Sequence, residues 1–185
     1  VAGQILRRVE GAIVETVGEA ASRTNTGDRA ETLFRVFSCH NLSELVQKVT
    51  LVAPHTASRW ARAARAVYAH RSLIGEPLPP QFPAMRDALR DGFVGVDGLL
   101  AVTGPLVEAA RRVDPEALLT ADTELAAVAR GQGMDGSPPA CADVLRVHAT
   151  VWASVLDPDG SAPTEREALR HRGFNLGRPK GDLTA

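Results

Sequence analysis

Residues 41–71 read NLSELVQKVTLVAPHTASRWARAARAVYAHR, two helices with a tight joint between them. Asn41, three residues ahead of Glu44, is a capping-box start. The helix it opens runs from Leu42 to about Leu51, and Pro54 interrupts it. A longer helix then spans His55 to Arg71 and is stopped by Gly75 and the proline-rich run Pro77–Pro83. On a helical wheel His55, Ser58, Arg59, Arg62 and Arg65 fall in one arc of about 120°. Ala57, Trp60, Ala64, Val67 and Tyr68 lie opposite. One face is built to be buried and the other is basic. Between Leu45 and Gly75 stand Lys48, Arg59, Arg62, Arg65 and Arg71, with His55 and His70, and no Asp or Glu.

A short helix, a tight turn and a helix with an Arg/Ser/His face form the layout of a helix-turn-helix reader. In that layout Arg59, Arg62 and Arg65 meet phosphates, while His55 and Ser58 face base edges near the helix start. The helix dipole at His55 favours a phosphate there as well. The competing explanation is a solvated face, or one that pairs with acids of the same fold. Glu108, Asp114, Glu116, Asp122, Glu124, Asp135 and Asp143 supply such acids.

Outward from this stretch the pattern stays helical. Ile5, Leu6, Val9, Ile13, Val17 and Ala20 recur at helical spacing from Val1 to about Ser22, with Gly11 and Gly18 permitting close approach of another helix. Asp28 with Glu31 opens a short helix through Phe37. Ala84 to Arg90 is another, with Gly92 suited to its C-terminal turn. Val96 to Val113 is helical with a kink or break expected at Gly104-Pro105. Asp114-Pro115 starts a helix reaching about Arg130, and Ser137-Pro138 is expected to start the next. That last helix carries Cys141, Val144, Leu145, His148, Val151, Trp152 and Val155 as a narrow stripe, which predicts a central packing helix closed by Asp157–Gly160. Thr164 with Glu167 caps a short helix to Arg170. Gly173–Leu176 and Asp182–Ala185 then read as the start of a β-hairpin.

The expected fold is therefore all-α. It is a compact multi-helix domain of about seven or eight helices with helix-turn-helix-like elements over residues 1–170, followed by a truncated hairpin or linker over 171–185. Composition agrees: of 185 residues 44% are hydrophobic and only 4% aromatic, so the core must be made of Ala, Val and Leu. The net charge of −1 selects no partner. Lys48 and Lys180 are the only lysines, a bias that a GC-rich genome explains without any appeal to nucleic acid. Cys39 and Cys141 form no framework, and no secretory signal occupies residues 1–10, so a reducing cytoplasmic setting is the expectation. No apolar run is long enough to cross a membrane. Val1 in place of Met is expected of a piece of a longer chain.

No complete catalytic site is legible. Gly131-Gln132-Gly133-Met134-Asp135-Gly136 fits a dinucleotide-binding string, but it follows a helix and no βαβ unit surrounds it. His40, His55, His70, His148 and His171 make no metal-ligand spacing. Serines and carboxylates show no nucleophile–base arrangement. Neither cofactor nor metal is expected, and the piece is read as non-enzymatic.

Three stretches in this order carry a resemblance: Asn41–Ser43 through Ala57–Ala66; Gly75–Pro79 followed by Ala88–Gly92; and Leu156–Gly160 with Arg172–Gly177. The chain resembles the actinobacterial 13E12-repeat family, a helical region that precedes HNH endonuclease domains. The resemblance implies the non-catalytic N-terminal region of a mobile-element-like protein whose nuclease lies downstream. The paired cysteines and His-rich metal site of that module have no counterpart here, so no catalytic residue carries over. The partners expected are DNA, the downstream nuclease domain and a second copy of the chain. A protein-interaction or oligomerisation scaffold without nucleic-acid contact is the alternative.

Overall fold

The computed structural model of the chain describes residues 1–26, 33–71, 77–133, 136–158 and 160. Among these, local signals set eight helices: α1 (Ala2–Thr26), α2 (Leu33–Val36), α3 (Leu42–Thr50), α4 (Pro54–Val67), α5 (Pro83–Arg90), α6 (Val96–Ala109), α7 (Pro115–Arg130) and α8 (Ala142–Leu156). Asn41 caps α3 by accepting the Glu44 N–H at 3.0 Å, and Glu44 in return accepts the His40 N–H at 2.8 Å. Asp114 caps α7 through Ala117, with Pro115 in the first turn. Gly92, at φ +78°, turns the chain after α5.

The core has α6 at its centre. Val96, Leu99, Val102 and Leu106 are buried there, and α8 lies along one flank while α4 packs on another. On the far side α4 is held by α1 and α3, and α5 packs against α7 and α1. Close approach is bought by missing side chains on α1. A Cβ at Gly18 would stand 2.3 Å from the Tyr68 ring, and one at Gly11 would stand 3.0 Å from the Leu89 carbonyl oxygen. Asp122 of α7 is fully buried and accepts the N–H groups of Ala84 and Met85 at 2.7 and 3.1 Å. It thereby caps α5, whose own N-cap residue Phe82 offers no side-chain acceptor.

Several expectations are corrected. Helix α4 stops at Val67, because Tyr68 turns extended; His70–Arg71 instead pairs antiparallel with Pro77–Leu78 as two short strands, β1 and β2. Of the kink or break expected at Gly104-Pro105, the break does not occur: helix α6 continues through Pro105, its burial offsetting the one hydrogen bond that proline removes. Helix α8 begins at Ala142, not at Pro138, since two successive prolines hold the preceding backbone out of the helical region.

The largest correction concerns the role of α8. Only Leu145 and Ala149 are buried on it; Val144, Val147, Val151 and Val155 are 44–66% exposed, and Cys141 is exposed too. It packs on α6 and α7 as a flank. The Asp28–Glu31 start, the Thr164–Arg170 helix and the hairpin at 171–185 lie outside the described residues.

Candidate nucleic-acid interface

Three residues, Leu51-Val52-Ala53, join α3 to α4, and the two helices pack on one another. Leu51 makes the turn in the left-handed region at φ +58°, its N–H returning to the Gln47 carbonyl. Pro54 starts α4, and the N-cap residue Ala53 places no side-chain acceptor on the first turn. No acid stands in that turn either. The amides at this helix end thus keep their partial positive charge.

The two faces of α4 divide as the wheel requires. Ala57, Ala61, Ala64 and Val67 are buried, and Trp60 packs half-buried against the core. His55, Ser58, Arg62 and Arg65 are exposed, at positions i, i+3, i+7 and i+10. They form a stripe about 15 Å long at the rise of an α-helix. Arg59, the fifth expected residue, is set apart. Its guanidinium is joined to Asp97 in the first turn of α6. The acid that captures it lies outside the Glu108–Asp143 set named from the sequence. No sequence signal identifies Asp97, because the pairing depends on how α4 and α6 pack.

Lys48 is also committed. Its ammonium donates to the Phe37 and Ser38 carbonyls at 3.2 and 2.7 Å, tying α3 to the end of α2. The neighbouring Glu44 carboxyl is held below its ordinary value, first by the His40 N–H and further by the Lys48 charge. Beside the stripe, a groove of about 340 Å³ runs between α4 and α6, with Arg62 and Arg65 on one side and Leu100, Val107 and Glu108 among its lining.

The Tyr68 hydroxyl donates to Glu19, and that bond, with burial, raises the phenol above its ordinary value, so it stays protonated. Among the described residues no group of three or more His, Cys, Asp or Glu could hold a metal ion. No helix among them is long and apolar enough to cross a membrane.

Proteins of known sequence with which the chain aligns include uncharacterized proteins of Mycobacterium bovis and Mycobacterium tuberculosis. Each is 30% identical over 131 residues, covering 71% of this chain and 27% of the relative. The chain thus spans about a quarter of the length of these relatives. No family model matches it. No solved structure matches it.

Proposed function

We propose that the chain is a non-catalytic, DNA-engaging region of a longer protein of the HNH-endonuclease type, as the 13E12-repeat resemblance implies. The observation that carries the reading is the exposed stripe His55, Ser58, Arg62 and Arg65 on α4, which starts at an uncapped helix end and has no acid on its own helix. Arg62 and Arg65 meet phosphates, the α4 amides receive another, and His55 and Ser58 sit where base edges pass. Arg59 serves the fold through Asp97 and leaves the contact set.

Two guanidinium contacts predict that log affinity falls against log salt with a slope of roughly −2. Fluorescence anisotropy with a labelled duplex measures it. An Arg62→Glu/Arg65→Glu variant with unchanged far-ultraviolet circular dichroism loses the binding. Equal affinity of that variant and the parent refutes the reading.

A second reading, a scaffold that holds another part of the longer protein, draws on a separate observation. The valine row of α8 and the outer residues Ile5, Leu6 and Val9 of α1 remain exposed. Co-purification with the remainder of a full-length relative, undisturbed by Arg62→Glu/Arg65→Glu, supports it.

A further inference from the structure

The turn between α3 and α4 carries a feature that the isolated fold does not explain. Leu51 is 88% exposed, the highest value among the described large apolar residues after the terminal Val1, and Val49 nearby is 58% exposed. Leu51 also sits at φ +58°, where a side chain is strained and glycine is the usual occupant. A leucine here therefore gives up backbone comfort and buries nothing. A glycine would make the same turn and keep the same Leu51 N–H bond to Gln47.

The position of this knob points to its use. It stands three residues ahead of the uncapped start of α4 and four ahead of His55, at the end of the stripe that the proposed function assigns to DNA. Arg62 and Arg65 lie about two and three turns along α4, far enough for the stripe to hold the backbone while the turn reaches inward. The apolar group that duplex DNA offers in its major groove is the C5 methyl of thymine. An aliphatic tip in the turn that leads into His55 suits that methyl, and no acid among residues 45–71 repels the adjacent phosphates.

We infer that Leu51, supported by Val49, is a base-reading residue that packs on thymine methyl groups at the entry of α4. The inference rests on the DNA reading of α4 and adds to it a preference that phosphate contacts cannot produce.

The test uses two short duplexes of the same mixed sequence, one with every thymine replaced by uracil, and two proteins, the parent and Leu51→Gly. Glycine relieves the strained turn, so the variant folds and its Tm rises by about 2–4 °C. The parent binds the thymine duplex about threefold more tightly than the uracil duplex, as expected for a buried methyl. Leu51→Gly binds both alike, with the salt slope of the parent. If the parent does not distinguish the duplexes while Arg62→Glu/Arg65→Glu abolishes binding, the inference is overturned and the DNA reading stands. If the parent binds neither duplex, both fail. If Leu51→Gly changes only the sedimentation of the chain, the knob contacts protein and the inference is overturned.

Discussion

Replacing Asp122 by Asn isolates one buried charge whose effect depends on pH. The carboxyl is fully buried on α7 and accepts two amide hydrogen bonds from the start of α5. Burial pushes it up from 3.8 to about 6, the Ala84 and Met85 amides pulling the other way and Asp87 adding to the rise. Because the folded-state value lies above the unfolded one, the stabilising contribution is complete below about 3.8 and is lost as pH climbs through about 6. A gap of about two units corresponds to about 3 kcal/mol. For a chain of this size that is about 6–12 °C in Tm. Asparagine keeps an oxygen for one of the two amides and does not titrate. Thermal unfolding followed by circular dichroism from about pH 4 to about pH 7.5 should therefore show the parent losing about 6–12 °C more than Asp122→Asn. Every other ionisable group is common to both proteins, so the difference between the curves belongs to Asp122. Parallel curves would refute the argument.

Two further outcomes follow from packing. Gly18→Ala drives a methyl into the Tyr68 ring, parting α1 from α4 and straining the Tyr68–Glu19 bond, and costs about 1–3 kcal/mol in denaturant unfolding. An unchanged midpoint would show that α1 does not approach α4 there. Val147→Glu and Val151→Glu shift stability by about 0.5 kcal/mol or less, whereas Leu145→Ala on the same helix costs about 2–5 kcal/mol. Equal losses at all three positions would restore α8 to the centre of the core.

The starts of α3 and α7 were legible because they depend on neighbours in sequence, whereas that of α8 was displaced by the second proline, Pro139. Asn41 with Glu44 and Asp114 with Pro115 need only three or four residues to act, and both cap as read. The two faces of α4 were legible for the same reason. The place of α8 was not: periodicity reveals an apolar stripe but not how much of it another helix covers. The better signal for a central helix was the near absence of a polar face on α6, which between Val96 and Ala109 carries only Asp97 and Glu108 as charges. Asp122 left a trace as well, an acid set among Leu118, Leu125 and Ala129 at helical spacing. Of the candidate site, His55, Ser58, Arg62 and Arg65 emerge on one exposed row. The removal of Arg59 from it depended on Asp97, thirty-eight positions away, a meeting that only tertiary packing creates.

The groove beside α4 owes part of its openness to Gly104, where an added Cβ would meet nothing within 4 Å. A cysteine placed there gives a spin label or dye an anchor on the wall opposite Arg62 and Arg65 without displacing a neighbour. With Cys39 buried, replacing the exposed Cys141 leaves that label as the accessible thiol, and serine in its place would supply the capping oxygen that the start of α8 lacks. The molecule thus offers a vantage point from which whatever settles on α4 can be watched as it arrives.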